Sequence, residues 1–162
     1  MKIKIFVTGG TFDKEYDEIT EKLVFKETHL PQMLVRGRCR IEVEVKNLML
    51  IDSLNMTAED QQLIVKQCKE CPEDKIIVTH GTSHMEDTAR LLNENVKDKT
   101  IVLTGAMSPY AFGSSDGLFN LGCAMAFVQT LPFGAYVTMN GKCFVGGKVT
   151  KNTKTGDFEE IN

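Results

Sequence analysis

Small hydroxyl side chains and glycines follow four apolar segments of this 162-residue chain. They form the clusters Thr8-Gly9-Gly10-Thr11, residues 52–53, residues 80–83 and residues 105–107. Glycines let a backbone turn sharply, so N–H groups and a hydroxyl such as that of Thr11 can approach a small ligand. Each cluster alone also fits an ordinary turn, so their placement in the fold must distinguish a turn from a reaction site.

Several familiar motifs are incomplete. The two glycines of residues 8–11 are adjacent, so the segment is not the G-x-G-x-x-G fingerprint of a dinucleotide site. His80 and His84 lie four residues apart but lack the glutamate of a zinc-protease helix, and Cys68 and Cys71 have no second pair to complete a zinc site. No G-x-S-x-G elbow supports a serine triad. We expect no metal and no cofactor.

Two residues have ordinary structural interpretations of their own. Ser83 and Glu86 have the S-x-x-E spacing of a capping box, which predicts that Ser83 caps the next helix. Lys151 lies in a polar segment near the C-terminus, where a lysine on its own indicates only a solvated surface. It could act as a base only if the fold placed it beside the hydroxyl clusters.

Strand and helix patterns alternate along the chain. Strands are predicted at residues 2–8, 40–46, 75–79, 100–104, 135–137 and 142–145, and helices at 32–36, 57–69, 83–95 and 118–129. Residues 12–31 predict a long loop with some local structure. The last helix is apolar nearly all round, which predicts deep burial. The alternation indicates an α/β fold, a single domain with a mostly parallel sheet and helices on both faces. Ligands bind at the carboxyl edge of such a sheet, and all four clusters follow strands.

Composition narrows the function classes. The net charge of −3 indicates neither a nucleic-acid partner nor an acidic-membrane partner, and the basic run at residues 36–40 is typical of a solvated turn. Apolar runs are too short to span a membrane. The five cysteines follow no disulfide framework, which predicts reduced thiols and a cytoplasmic location.

These residues together resemble the bacterial-type L-asparaginase family, the threonine amidohydrolases. The matching segments are TGGT at 8–11, HGT at 80–82, MEDTA at 85–89, GAM at 105–107, SDGLFNL at 115–121 and VTK at 149–151. They cover the N-terminal domain of that family. The resemblance implies that residues 1–162 are one such three-layer domain, without the family's smaller second α/β domain.

The resemblance also implies catalytic roles. Thr11 corresponds to the attacking hydroxyl, and Tyr16 is the nearest candidate for the lid tyrosine that assists it. Thr82 and Lys151 resemble the second hydroxyl and its lysine base. The expected substrate-binding residues are Gly10, Asp52, Ser53, Gly81, Ser83 and Ala106. Among these, Ser53 and the backbone of Asp52 would hold a substrate α-carboxylate, and Ala106 would contact the amide through its backbone.

One departure from the family pattern predicts a weak asparaginase, or a preference for amides without an α-amino group. The family's H-G-T-D-T is here His80-Gly81-Thr82-Ser83-His84, so Ser83 replaces an aspartate that pairs with the substrate α-ammonium. The resemblance implies threonine-dependent hydrolysis of a small amide, asparagine being the family default, in a homo-oligomer. The alternatives are a small-molecule-binding or regulatory domain with weakened catalysis, and a structural or interaction domain.

Overall fold

The computed structural model describes all 162 residues and has a central six-stranded sheet. Its strands are β1 (Lys2–Gly9), β4 (Glu42–Ile51), β5 (Lys75–Thr79), β6 (Thr100–Thr104), β7 (Gly134–Met139) and β8 (Lys142–Val145). They are ordered β4-β1-β5-β6-β7-β8, and only the β7–β8 pair is antiparallel. The mostly parallel α/β fold predicted from the sequence is confirmed.

Four helices cover the two faces of the sheet. They are α1 (Leu30–Arg36), α2 (Ala58–Glu70), α3 (Met85–Asn95) and α4 (Gly117–Thr130). Along β5, Ile76 and Val78 belong to the core beneath α2 and α3, whereas Ile77 belongs to the core beneath α1 and α4. A strand that is buried on both faces is apolar at successive positions, which explains its continuous hydrophobic run. None of the four helices combines the length and apolar character that crossing a membrane requires.

The order of the strands fixes where a ligand can bind. From β1 the chain crosses to β4 on one side, and it then returns to β5 on the other side of β1. The strand order therefore reverses between β1 and β5, and a crevice opens at the carboxyl ends of strands at such a switch point. Thr11 follows β1 and Thr82 follows β5, so both threonines lie at this crevice.

Two smaller antiparallel pairs complete the fold. Within residues 12–31, predicted as a loop with some local structure, β2 (Lys14–Asp17) pairs with β3 (Lys22–Phe25), so the local structure is a short hairpin that was not identified as such. Each strand has only four residues and exposes much of its surface, which leaves almost no hydrophobic pattern to detect. Near the C-terminus, β9 (Val149–Lys151) pairs with β10 (Phe158–Glu160).

Three predicted elements differ from the structure in extent or burial. β4 continues to Ile51, beyond the predicted end at residue 46, because its alternating pattern breaks at the exposed Asn47 while pairing with β1 continues. Helix α1 begins at Leu30, two residues before its predicted start. Helix α4 buries one face only, and Phe119 on its outer face is 60% exposed. Its apolar composition therefore did not indicate burial all round.

Candidate active site

Two glycines turn the chain at the end of β1. Gly9 and Gly10 have φ values of 98° and 74°, and a Cβ on Gly9 would collide with the backbone of Ile51. The Gly10 N–H donates to the Ile51 carbonyl over 2.8 Å. Thr11 then begins a short 3₁₀ helix, Thr11–Asp13, where it is half-buried and its hydroxyl has no hydrogen-bond partner within the chain. The turn therefore presents a free hydroxyl at the carboxyl edge of the sheet.

Close backbone contact joins this turn to the segment after β5. A Cβ on Gly10 would collide with the backbone of Gly81, and a Cβ on Gly81 would collide with the side chain of Ser53. Ser53 is buried at the start of the 3₁₀ helix Ser53–Asn55, which follows β4. Glycine is required at both positions because the three segments touch. Gly10, Gly81 and Ser53, three of the predicted binding residues, are thus brought together.

His80 is a structural group within this arrangement. Its ring is fully buried, with Nδ1 2.7 Å from the Gly81 carbonyl oxygen and Nε2 2.9 Å from the Thr88 hydroxyl. A carbonyl can only accept, so Nδ1 carries the proton and Nε2 accepts from Thr88. Burial lowers the pKa of His80 to about 4. The imidazole is therefore neutral near pH 7, and both of its nitrogens are occupied.

The contact between Thr82 and Lys151 is the most informative feature of the site. Thr82 follows Gly81 directly, and its Oγ1 lies 2.7 Å from the Lys151 Nζ. Lys151 comes from β9, some seventy residues away in sequence, and β9 is anchored to the core through the buried Val149. An amine and a hydroxyl at this distance can exchange a proton directly. The fold thus supplies the partner that Lys151 lacked in the sequence.

Asp52 connects the site to the β2–β3 hairpin. Its carboxylate accepts from the Leu54 N–H over 3.0 Å and from the Lys14 Nζ over 2.5 Å. Burial raises the pKa of Asp52, but the hydrogen bonds from Lys14 and Leu54 outweigh burial, so the pKa is lowered overall. The carboxylate therefore stays ionised and ties the hairpin to the segment that carries Ser53.

Asp116 orders the segment after β6, which begins with Gly105 and the buried Ala106. Its carboxylate accepts from the backbone N–H groups of Met107 and Ser108 over 3.0–3.1 Å. Burial raises the pKa of Asp116, and these hydrogen bonds outweigh burial and lower it overall. The ionised Asp116 carboxylate therefore holds the backbone in place directly after Ala106.

An open cleft of about 500 Å³ lies beside the threonine–lysine pair. Its lining residues are Leu54, Ser83, His84, Glu86, Met107, Lys151, Thr153 and Gly156. Lys151 and Ser83 are predicted site residues that meet here. Glu86 was missed, because the S-x-x-E spacing that draws attention to it indicated only a helix cap.

The predicted capping role of Ser83 was wrong. Helix α3 has His84 at its N-cap with a φ of 59°, and no side chain caps it. A left-handed residue between Ser83 and the helix changes the direction of the chain. The capping-box spacing therefore no longer places the Ser83 hydroxyl against the N–H groups of the first turn.

Tyr16 lies on the outer part of the β2–β3 hairpin. It pairs with Leu23 across the hairpin, is 56% exposed and makes no side-chain hydrogen bond. The hairpin is attached to the site through Lys14, two residues before Tyr16. An assisting role for Tyr16 stays a prediction.

The sequence of the chain matches a known protein family. The family model described as Asparaginase, N-terminal, matches residues 2–161. The chain is 29% identical to an L-asparaginase of Thermococcus kodakarensis, covering 100% of this chain and 52% of that protein. It is 31% identical to L-asparaginase 2 of Escherichia coli, covering 99% and 49% respectively. The chain thus spans about half the length of these relatives.

Solved structures with a similar fold are also L-asparaginases. The thermostable L-asparaginase from Thermococcus kodakarensis matches with a TM-score of 0.87 at 28% identity, over 100% of this chain and 52% of that one. A probable cytoplasmic L-asparaginase from Campylobacter jejuni matches with a TM-score of 0.84 at 30% identity, over 98% and 52%. The fold, the ordered motifs and the family match agree: the chain belongs to the asparaginase family.

Proposed function

We propose that this protein is an asparaginase-like amidohydrolase that converts a small amide into a carboxylate and ammonia, with asparagine as the first candidate substrate. The observation that carries the proposal is the 2.7 Å contact between the Lys151 Nζ and the Thr82 Oγ1 beside an open cleft. Two proteins it resembles are named L-asparaginases.

The proposed reaction uses two hydroxyls. A threonine hydroxyl is a weak nucleophile until a base removes its proton, and a lysine serves as that base in its neutral form. Lys151 would take the proton of Thr82, and Thr82 would take the proton of Thr11 as the Thr11 oxygen bonds the amide carbon across the contact between Gly10 and Gly81. As the carbon–nitrogen bond breaks, the Lys151 ammonium would return a proton to the departing nitrogen, so that ammonia leaves and an acyl-threonine ester remains. Water would then give a proton to Lys151 and attack the ester, and the Thr11 oxygen would regain its proton as the acid leaves.

Backbone groups complete the proposed site. N–H groups beside Gly10, Gly81 and Ala106 would stabilise the negative charge that develops on the amide oxygen, because preorganised donors act strongly where water is excluded. Ser53 and the Asp52 backbone would hold the substrate carboxylate. The ion pair between Lys14 and Asp52 supports this role by fixing the segment.

The experiment is a direct assay of ammonia release over a panel of small amides. We expect Thr11→Val to abolish release, because the change removes the hydroxyl from a nearly isosteric side chain. Thr130→Val is the matched control, since Thr130 is exposed at the far end of α4 and bonds only its own helix. Undiminished release by Thr11→Val, or no release by the native protein on any amide, would contradict the proposal.

We also propose a cytoplasmic homo-oligomer. All five cysteines are free, as expected for a reducing compartment. The exposed Phe119 on α4 supports self-association, because an outward apolar side chain on a helix offers surface for a second copy. Light scattering that shows a monomer at high micromolar concentration would contradict the oligomer.

A further inference from the structure

A groove of about 250 Å³ lies between helices α1 and α4. It shares no residue with the cleft beside the threonine–lysine pair. Its surface is mostly apolar, and three buried and three half-buried side chains line it, namely Met33, Leu121, Met125, Leu34, Ile41 and Leu118. A hydrocarbon chain in this groove would remove apolar surface from water on both sides of the contact, which is favourable.

Gly122 keeps the groove open. It is an exposed residue in the interior of α4, where glycine destabilises a helix relative to alanine. A Cβ at this position would meet nothing within 4 Å, and its φ is not positive. Neither packing nor backbone conformation within the chain therefore requires a glycine here. The missing side chain leaves space that a ligand can occupy.

Arg40 is the only charged residue that lines the groove. Its side chain is exposed and forms no ion pair, in contrast to Arg90, which lies near two acidic side chains of its own helix. The neighbouring Cys39 thiol donates to the Ile41 carbonyl over 3.8 Å. The unpaired guanidinium is thus the polar end of the groove. Guanidinium groups bind carboxylates through two parallel hydrogen bonds.

The turn that carries Arg40 is positive as a whole. Arg38 forms no ion pair, and the Arg36 guanidinium lies 6.0 Å from the centre of the Tyr110 ring instead of beside a carboxylate. A two-fold interface centred on the groove would bring the same arginines of two copies together, and like charges repel. The charge of the turn therefore favours a free anionic ligand over a second copy of the chain.

We propose that this groove binds a medium-chain carboxylic acid, with the hydrocarbon chain between α1 and α4 and the carboxylate on Arg40. The volume of about 250 Å³ lies below the roughly 300–1,000 Å³ of pockets for drug-sized ligands, which favours a single short chain. The basic run at residues 36–40, typical of a solvated turn in the sequence, then has a binding role as well.

Calorimetric titration of the native protein with butanoate, hexanoate and octanoate tests the contact with the hydrocarbon chain. Full burial of one methylene strengthens binding by about fourfold, so each added pair in this open groove should do so by about fourfold or more. Octylammonium has the same chain with the opposite charge and should bind at least about tenfold more weakly than octanoate. Equal affinity along the series, equal affinity for both charges, or no binding of octanoate would overturn the proposal.

Two pairs of variants locate the ligand. Gly122→Leu places a branched side chain in the wall of the groove, whereas Gly122→Ala adds only a methyl group and improves the helix to a similar degree. Arg40→Gln removes the charge from the groove, and Arg38→Gln removes one from the same turn outside it. Gly122→Leu and Arg40→Gln should each weaken octanoate binding by about tenfold or more, and the two controls by less than about threefold.

Circular dichroism verifies that each variant is folded, and light scattering measures its mass. Unchanged octanoate affinity in Gly122→Leu or Arg40→Gln would mean that the acid binds elsewhere, and the proposal would fail. A smaller assembly in Gly122→Leu than in Gly122→Ala would assign the groove to a second copy of the chain and would equally overturn it. None of these measurements depends on ammonia release, so the groove and the proposed hydrolase are tested separately.

Discussion

Four threonines at the carboxyl edge of the sheet fall into two groups with different surroundings. Thr8 and Thr104 are buried within their strands, and their hydroxyls donate to the carbonyls of Thr79 and Thr138 over 2.8 and 2.9 Å. Thr82 instead contacts the Lys151 amine, and the Thr11 hydroxyl has no partner. The first group braces adjacent strands, whereas neither hydroxyl of the second group bonds the backbone.

The difference arises from the glycines. Thr8 and Thr104 are still within regular strands, so a neighbouring carbonyl lies within reach of each hydroxyl. Thr11 and Thr82 follow Gly10 and Gly81, where the backbone has left the sheet. A threonine on the strand side of the turn therefore braces the sheet, and one beyond the turn is left for the proposed chemistry.

The largest effect is expected at Lys151, the proposed base that contacts Thr82. Lys151→Met removes the amine from Thr82 but keeps much of the aliphatic chain, so kcat/KM for ammonia release should fall by about 10²–10⁴-fold with little change in stability. Lys148→Met is the matched control, because Lys148 is exposed on the same segment. Activity retained in Lys151→Met would show that the lysine is not the base.

The next effect concerns the neutral His80, which supports the same turn. Its folded pKa of about 4 lies below the ordinary value of 6.5, so the unfolded chain binds the proton more readily. Stability should therefore be complete above pH 6.5 and fall as the pH drops toward 4, by roughly 3 kcal/mol in all. Urea unfolding between pH 7 and pH 4.5 measures this loss.

The control is His80→Asn, whose amide can keep a donor toward the Gly81 carbonyl. Subtracting its profile of unfolding free energy against pH from that of the native protein leaves the contribution of His80, because the carboxylates contribute equally to both profiles. Parallel profiles would mean that burial does not hold His80 neutral.

A smaller effect is expected for the bracing threonines. Thr104→Val removes the hydrogen bond to the Thr138 carbonyl and should lower the free energy of unfolding by about 1 kcal/mol. Activity should stay within about twofold, because the Thr104 side chain is fully buried within its strand and its hydroxyl already bonds the Thr138 carbonyl. Chemical unfolding and ammonia release on the same preparation measure both quantities. A large loss of activity at unchanged stability would erase the distinction between the two groups.

The smallest effect is expected at Ser83. Ser83→Asp should change stability by less than about 0.5 kcal/mol, because no cap is lost and aspartate suits the start of a helix. The added carboxylate beside Thr82 should raise activity on asparagine by a few-fold, with Ser83→Asn as the uncharged control. If neither variant gains activity, Ser83 does not limit the site.

Much of this arrangement could be predicted from local patterns. Apolar runs such as Ile76 to Val78 predicted buried strands, and hydroxyls after those strands predicted their meeting at one edge. The β2–β3 hairpin could not be predicted, because its short exposed strands have no clear periodicity. The position of Glu86 in the cleft could not be predicted, because its spacing from Ser83 indicates a helix cap. The left-handed backbone at His84 removes that cap, and such a conformation at a non-glycine residue leaves no signal in the composition.

The most direct test of the central claim is a double-mutant cycle on the contact between Thr82 and Lys151. The kcat/KM for ammonia release is measured for native protein, Thr82→Val, Lys151→Met and the double variant at equal folded concentration. If the two residues act as one proton-transfer unit, each single change should remove about 10²-fold or more, and the double variant should lose no more than the worse single one. Losses that multiply, or a single variant with native activity, would contradict the account.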